Sequence, residues 1–257
     1  MTDLLLDIKD LHKSFGAQQV LRGVNIGVER GKITVIIGKS GTGKSVLFKN
    51  IMGLQKPDSG EISYDGLDVV HASERELLDM RRNIGYLFQE AALFDSLTVE
   101  ENIAFPLEEM LLWKERAKIR DRVHEMLDIV DLLGAEKKYP SELSGGMRKR
   151  VGLARALAIN PKIVLFDEPT TGLDPVLTQN IDELIQKVNK TLAVTCLIIS
   201  HDIQAAFHIA DKIAFLYDGV IEVSGAPHEV RRTEHPMLKL FMENAMNCFK
   251  DTEAVRS

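Results

Sequence analysis

The sequence contains few cysteines and few aromatic residues, and its first ten residues do not look like a secretory signal. Its 257 residues include two cysteines, and aromatic side chains make up only 6% of the composition. A chain of this length can bury a core without disulfides, and disulfides are rare in reducing compartments. Cys196 lies in an apolar run that predicts a buried strand, so we expect a reduced structural thiol there. Residues Met1 to Asp10 lack the basic and apolar regions of a signal peptide.

Long apolar runs and excess positive charge are also absent. No stretch reaches the roughly 18 consecutive apolar residues of a transmembrane helix, and the nearest, Leu192 to Ile199, has the length of a core strand. The formal net charge is −6, which excludes an overall basic field that would recruit nucleic acid or anionic lipid. We therefore expect no nucleic-acid partner, and action at a membrane only through another protein.

The order of predicted elements indicates an α/β fold. Short apolar runs predict strands at residues 4–11, 20–28, 33–37, 61–64 and 84–88. Helical periodicity dominates residues 98–133 and 145–159. After Pro161 strands and helices alternate as far as Leu216, which implies parallel βαβ units with right-handed crossovers. We predict an α/β core containing both ends of the chain, interrupted by a helical insertion between about Gln89 and Asn160.

A glycine-rich segment lies between the apolar run 33–37 and a helical stretch. It fits the pattern G-x-x-x-x-G-K-[ST] with Gly38, Lys39, Ser40, Gly41, Thr42, Gly43, Lys44 and Ser45. Glycine lets backbone N–H groups approach a phosphate, and the following helix N-terminus favours an anion. Lys44 would contact the β- and γ-phosphates, and the Ser45 hydroxyl would coordinate Mg²⁺. A plain glycine-rich turn is the alternative, but the order strand, loop, helix favours a phosphate site that extends to Val46.

Two acidic residues follow the apolar run Ile163 to Phe166. Ligands bind outside the carboxyl ends of strands in open α/β sheets, which places Asp167 and Glu168 at such an edge. Asp167 is suited to hold Mg²⁺, and Glu168 to polarise or accept a proton from an attacking water. Adjacent acids after a strand are often a solvated turn, but the phosphate loop in the same chain favours a catalytic pair.

The segment Leu143, Ser144, Gly145, Gly146, Met147 resembles the signature motif of ABC ATPases. It lies between the phosphate loop and the carboxylate strand, as in that family, and the resemblance covers Leu4 to about Gly225. It implies that two copies pair head to tail, and that Ser144, Gly145 and Gly146 bind the γ-phosphate held by the other copy. The basic run Arg148 to Arg150 follows on the signature helix, where we expect a solvated helix face.

Other residues match functional positions of the ABC ATPase family, in the same order along the chain. By resemblance, Phe15 would stack on adenine, although a hairpin or core aromatic is the alternative. Gln89 would sense Mg²⁺ and link the site to the helical subdomain, Asp174 would lie in the loop at the dimer interface, and His201 would contact the γ-phosphate. The expected catalytic residues are therefore Lys44, Glu168 and His201, with Ser45, Gln89 and Asp167 at the metal.

The resemblance also implies an architecture and partners. The expected fold is a P-loop ABC ATPase core with a mixed sheet, an N-terminal antiparallel β part and an inserted helical subdomain. The core and β part would span about 4–88 and 161–225, the helical subdomain about 89–160, and a C-terminal helical tail 226–257. ATP and Mg²⁺ would be the cofactors. A homodimer would associate peripherally, through a permease, with the cytoplasmic face of the inner membrane.

Two stretches look like the ATPase of the Mla phospholipid transport system. They are Leu87 to Asp95, followed by Ala104 to Glu108, and Val194 to Asp202. An Mla-type permease with an MCE-domain protein would then be the partner, and an amino-acid or ion importer is the alternative. Lys39, where many ABC ATPases have an uncharged residue, and the common form Thr171-Gly172 do not single out the lipid branch.

Other functional classes fit less well. A soluble ABC regulator of ribosomes or DNA typically carries tandem ATPase domains or a long coiled-coil insertion, and this chain has one set of motifs. Glu168 and His201 argue against a module that binds ATP without hydrolysing it. Near the C-terminus, apolar residues could form an amphipathic helix for dimer or partner contact or an ordinary packed helix; they are Phe241, Met242, Met246 and Phe249.

Overall fold

An antiparallel sheet forms the N-terminal part of the protein in the computed structural model, which describes residues 3–110 and 115–243. Strands β1 (Leu4–Phe15) and β2 (Gln18–Glu29) pair antiparallel across a tight turn in which Gly16 has a φ of 59°. On its other edge β1 pairs antiparallel with β4 (Ser59–Tyr64), which continues to β5 (Leu67–Asp68). The predicted antiparallel N-terminal part is therefore confirmed.

The chain divides into two compact units, Met1–Val70 with Ile199–Ser257, and His71–Ile198. Besides the antiparallel sheet, the first unit contains β3 (Ile33–Ile37), which is buried along its length and runs parallel to β9 (Lys212–Tyr217). Strand β9 pairs antiparallel with β10 (Val220–Gly225), so the strand set is mixed, as predicted. The helices of this unit are α1 (Lys44–Ile51), α7 (Ile203–Ile209) and α8 (Pro227–Arg231), and residues 236–243 are also helical.

The second unit combines parallel strands with helices. Strand β6 (Ile84–Leu87) runs parallel to β7 (Ile163–Asp167). Strand β8 (Thr195–Ser200), of which residues 195–198 belong to this unit, lies next to β7 in the strand order. Apolar residues fill β7 and β8, as expected for parallel strands covered on both faces. Helix α2 (Glu74–Arg81) precedes β6 and begins with a capping box formed by Ser73 and Glu76, and α6 (Pro175–Leu192) precedes β8.

Three helices of this unit pack on one another. They are α3 (Val99–Glu109), α4 (Arg116–Ile129) and α5 (Gly145–Ala158), with a short 3₁₀ turn at Pro140–Glu142 before α5. Arg122 of α4 is 9% exposed and donates to the carbonyl oxygens of Leu157 and Ala158 at 2.8 and 3.0 Å, so it satisfies the C-terminal end of α5. None of the helices in the described ranges is both long and apolar enough to span a membrane.

Most predicted elements are present, with boundaries shifted by a few residues. The helical region 98–133 contains two helices, and α2, β5 and β10 were not predicted because they are short and mostly polar or half-buried. In the C-terminal region, Phe241 stacks on Phe215 with ring centroids 5.9 Å apart, as in an ordinary packed helix. Met246, Cys248 and Phe249 lie outside the described residues, so the predicted tail, like the predicted domain boundaries, stays a prediction.

Candidate nucleotide-binding site

The glycine-rich loop connects β3 to α1, as the sequence predicts. A methyl group on Gly38 would come within 2.5 Å of the carbonyl oxygen of Leu216, and one on Gly43 within 2.9 Å of Val20. Gly43 also has a φ of 99°, which side chains with a Cβ rarely adopt. Close packing therefore requires glycine at Gly38, and backbone geometry requires it at Gly43.

The loop presents donors and a cation, which fits a phosphate. Lys44 is buried, and its ammonium group donates to the carbonyl oxygens of Gly38 and Lys39 at 2.7 and 3.0 Å. Helix α1 begins at Lys44, and its N-cap residue, Gly43, provides no side-chain cap. Its first turn has no acidic residue, and Ser45 is exposed. The uncapped helix N-terminus and the folded-back lysine form a cradle of the kind that holds triphosphate.

Two further predicted site residues, Phe15 and His201, lie in the first unit, which also contains the glycine-rich loop. Phe15 is the last residue of β1 and is 46% exposed, so it is not a core aromatic. The ammonium group of Lys13 lies 5.6 Å from the centroid of its ring. His201 is exposed directly after β8, and the next residue, Asp202, caps α7 by accepting from the backbone of Gln204 and Ala205. Their contacts with nucleotide stay predictions.

The carboxylate pair lies at the end of β7 in the second unit. Asp167 accepts a hydrogen bond from the hydroxyl of Tyr86 at 3.0 Å. Burial, together with the neighbouring Asp167 carboxylate, raises the pKa of Tyr86, so the phenol stays protonated and remains a donor. Glu168 has a φ of 49°, and its Oε2 accepts from the Thr171 hydroxyl at 2.7 Å. The sequence did not indicate Tyr86, which belongs to no motif used above, and it showed Thr171 only as part of the common form Thr171-Gly172, with no role toward Glu168.

The signature segment forms the start of α5. Ser144 is the N-cap residue, and its hydroxyl accepts from the backbone N–H of Met147 at 3.3 Å. A methyl group on Gly145 or Gly146 would lie 3.6 or 3.4 Å from a leucine side chain, which is ordinary contact distance. Packing within this unit therefore does not require glycine at either position.

The basic run after the signature is not a uniformly solvated face, so that prediction was wrong for Lys149. Its side chain is 6% exposed, and its ammonium group donates to the carbonyl oxygens of Thr171 at 3.1 Å and Glu168 at 3.4 Å. Burial lowers the pKa of Lys149, and the carboxylates of Glu90 and Glu168 oppose that shift. By contrast, Arg148 is exposed, and Arg150 is half-buried and donates to Val130.

Gln89 and Asp174 occupy loop positions. Gln89 is exposed after β6, and Asp174 is the N-cap residue of α6, where its carboxylate accepts from the backbone of Val176 and Leu177 at 3.0 and 2.9 Å. The cap alone accounts for an acidic residue at Asp174. The nucleotide and interface roles of both residues stay predictions.

A strained turn follows Gln89. Ala91 and Ala92 have φ values of 59° and 47°, which are unusual for residues with a Cβ. The guanidinium of Arg155 donates to their carbonyl oxygens at 2.7 and 2.8 Å, and also lies 6.0 Å from the ring centroid of Phe94. Arg155 therefore ties the segment after Gln89 to helix α5, a contact that no motif indicated.

The first unit has a glycine-rich loop between a strand and a helix, and the second unit has a strand that ends in two carboxylates. These features define a P-loop nucleotide-binding protein. The comparisons with known proteins identify the family. Residues 21–171 match the model of the family described as ABC transporter, and the chain belongs to this family.

Three relatives illustrate the similarity. Over 237 residues the chain is 41% identical to the probable ribonucleotide transport ATP-binding protein mkl of Mycobacterium leprae, covering 92% of this chain and 68% of that protein. It is 40% identical to the methionine import ATP-binding protein MetN of Carboxydothermus hydrogenoformans, covering 95% and 73%. It is 40% identical to the sulfate/thiosulfate import ATP-binding protein CysA of Bradyrhizobium diazoefficiens, covering 88% and 65%. The chain thus spans about two thirds of the length of the relatives it matches.

Solved structures support the same class. A dimeric ATP-binding cassette, solved in a post-hydrolysis state with ADP and Pi bound, has a TM-score of 0.77 and 33% identity, covering 86% of this chain and 98% of that one. The cbiO1 subunit of the cbiONQ transporter complex from Clostridium perfringens has a TM-score of 0.83 and 30% identity, covering 94% and 99%. The chain is therefore an ATP-binding subunit of the ABC type and an ATPase, with ATP and Mg²⁺ as its cofactors.

Proposed function

We propose that this chain is the ATP-hydrolysing motor of a phospholipid transporter similar to the Mla system. It would act as a homodimer bound to a permease at the cytoplasmic face of the inner membrane. The observation that carries the membrane partner is an apolar groove beside the segment that follows Gln89. The remaining support comes from the site residues and from the sequence stretches that look like the Mla ATPase.

The groove lies in the second unit and has a volume of about 300 Å³. Phe88 and Phe94 on its rim are 46% and 43% exposed, and each is held by another ring: Tyr86 lies 4.3 Å from Phe88, and Phe105 lies 4.7 Å from Phe94, between ring centroids. Exposed apolar surface of this kind marks a protein contact. A short amphipathic helix of a permease has the shape and polarity that such a groove accepts.

A homodimer is supported by the signature glycines. A methyl group on Gly145 or Gly146 would meet only ordinary contacts inside this unit. Packing therefore does not explain these glycines, and an approach by another copy would account for their small size. Small residues at the start of a helix let an anion reach backbone N–H groups. In the proposed dimer, Ser144 and both glycines would contact the γ-phosphate bound by the other copy.

The role proposed for each site residue follows from the chemistry of its side chain or backbone. Backbone N–H groups of the loop and the Lys44 ammonium group would hold the phosphates. Oxygen ligands from Ser45, Gln89 and Asp167 suit Mg²⁺, which when bound neutralises charge that develops on the transferred phosphoryl group. Glu168 would orient the attacking water and accept its proton. The residues that complete the nucleotide contacts would be Phe15 at the base and His201 at the γ-phosphate.

We propose that the transported substrate is a phospholipid. The phospholipid assignment is supported by the resemblance of Leu87 to Asp95, Ala104 to Glu108, and Val194 to Asp202 to the Mla ATPase. The second candidate is an importer of an amino acid or an inorganic ion. The names of two relatives, a methionine importer and a sulfate/thiosulfate importer, favour it.

The experiment that tests the function uses a tagged Glu168→Gln variant purified in ATP from detergent-solubilised membranes. We expect it to bind ATP, to lose nearly all turnover and to accumulate as a closed dimer, because its side chain cannot accept the proton. Mass spectrometry of co-purified proteins then identifies the partner. A permease with an MCE-domain protein supports the lipid assignment, an amino-acid or anion permease replaces it, and the absence of any permease contradicts the transporter role.

A matched pair of substitutions tests the groove. In the Glu168→Gln background, Phe94→Asp places a charge on the groove rim, whereas Leu54→Asp places one on a residue that is 58% exposed and does not line the groove. We expect Phe94→Asp to lose the permease and Leu54→Asp to retain it, with ATP binding preserved in both. Retention of the permease by Phe94→Asp would contradict docking at this groove.

A further inference from the structure

We propose that Lys149 is a positioning residue for Glu168. Its buried ammonium group holds the turn that carries the Glu168 carboxylate and joins that turn to the signature helix α5. The inference rests on the role proposed above for Glu168. It assigns a function to a side chain that sequence reasoning placed on a solvated face.

The turn at residues 168–171 has an unfavourable backbone that needs external support. Glu168 lies in the left-handed region with a φ of 49°, where its Cβ crowds the following peptide. The turn is closed by a hydrogen bond from the backbone N–H of Thr171 to the carbonyl oxygen of Glu168 at 3.3 Å. Lys149 donates to this same carbonyl oxygen and to that of Thr171, at 3.4 and 3.1 Å. One ammonium group therefore bridges both ends of the turn.

A buried charge at this position destabilises the fold unless hydrogen bonds and nearby opposite charges compensate for the lost hydration. The side chain of Lys149 is 6% exposed, and burial of an ammonium group is unfavourable unless acceptors compensate for the lost water. Its acceptors are the two carbonyl oxygens, and the carboxylates of Glu90 and Glu168 add electrostatic attraction. An apolar side chain of similar length would avoid the desolvation cost but could not hold the turn.

The position of Lys149 connects three segments of the predicted site. The residue lies in the second turn of α5, whose N-cap is Ser144. Glu90, whose charge acts on Lys149, directly follows Gln89. A displacement of the start of α5 would therefore be transmitted by one side chain to the turn that orients Glu168. This arrangement makes turnover, rather than ATP binding, the property that depends on Lys149.

The test compares Lys149→Met with a matched control in the full chain. Arg122→Met also removes a buried cation that donates to two backbone carbonyls, but those carbonyls lie at the opposite end of α5. We expect Lys149→Met to lower kcat by roughly 10-fold or more with KM for ATP changed less than about 3-fold. We expect Arg122→Met to lower the unfolding midpoint at least as much, with kcat within about 2-fold. Lys149→Arg, which keeps the charge and the donors, should recover most of the lost kcat.

Specific results would overturn the inference. If Lys149→Met keeps a normal kcat, or if Arg122→Met loses as much kcat for the same loss of stability, Lys149 has only a structural role. A Lys149→Arg variant as slow as Lys149→Met would exclude a role for the ammonium contacts. Failure of the proposed function has a different signature, because Glu168→Gln alone would then turn over normally whatever the Lys149 variants do.

Discussion

The hydroxyl of Thr171 donates to Oε2 of Glu168 across 2.7 Å, so a residue three positions later holds the side chain proposed to act on water. Hydrogen bonds to charged groups contribute more than neutral ones, and catalysis depends on the orientation of the reacting group. The Thr171 hydroxyl therefore holds the Glu168 side chain, and the ammonium group of Lys149 supports its backbone.

Replacement of Thr171 tests that contact. Thr171→Val keeps the shape and removes the donor, so we expect kcat for ATP hydrolysis to fall by roughly 10-fold with little change in ATP affinity. Thr171→Ser keeps a hydroxyl and should retain most of the activity. Steady-state hydrolysis assays with an ATP-binding titration distinguish the two, and an unchanged kcat in Thr171→Val would contradict an orienting role.

Gly38 is the loop position at which a side chain is least tolerable. In Gly38→Ala the methyl group would meet the carbonyl oxygen of Leu216 at 2.5 Å, so the loop must shift and its donors move away from the phosphate. We expect ATP affinity to fall by at least about 10-fold, measured by titration with a fluorescent nucleotide. Gly134→Ala is the control, because its φ of 86° brings strain of about 1–2 kcal/mol but no contact within 4 Å. Its ATP affinity should be normal.

Arg155 satisfies the carbonyl oxygens of Ala91 and Ala92 in the strained turn. Arg155→Met removes both donors from a largely buried place, so we expect the free energy of unfolding to fall by about 2–3 kcal/mol in urea denaturation. Lys118→Met, which loses only an exposed ion pair with Glu115, should change it by less than about 1 kcal/mol. Equal stabilities for the two variants would show that Arg155 does not hold this turn.

Asp131 is expected to contribute a small acid-dependent part of the stability. A hydrogen bond from Lys187, with further attraction from Lys187 and Arg150, holds the pKa of Asp131 below its usual value. A depressed carboxyl pKa stabilises the fold above the unfolded-state pKa, and this contribution is lost as pH falls through the folded-state value. Asp131→Asn should therefore be less stable than the parent at neutral pH, with the difference disappearing in acid. A difference that persists below about pH 2–3 would contradict this origin.

The sequence predicted the parts of the site that are contiguous. Gly38 to Ser45 and Ser144 to Met147 are short segments, and their geometry follows from glycine conformations and helix starts within a few residues. The strand that ends at Asp167 was predictable because its apolar run is uninterrupted. Residues with distant partners were not predictable in this way: Tyr86 reaches Asp167 across 81 positions of sequence, and Arg155 reaches Ala91 across 64.

Lys149 shows why residues with distant partners are not predictable from sequence. In sequence it is the middle of three basic residues, and a helix surrounded by water would expose all three. Burial is decided by what packs against the helix, and here the turn after β7 covers Lys149 while Arg148 remains exposed. The class of protein and the loop that suits a phosphate can be read from the order of residues along the chain, because both depend on neighbouring residues. The side chains that hold Glu168 can be identified only in the folded chain, because hydrogen bonds between distant segments form only after the chain has packed.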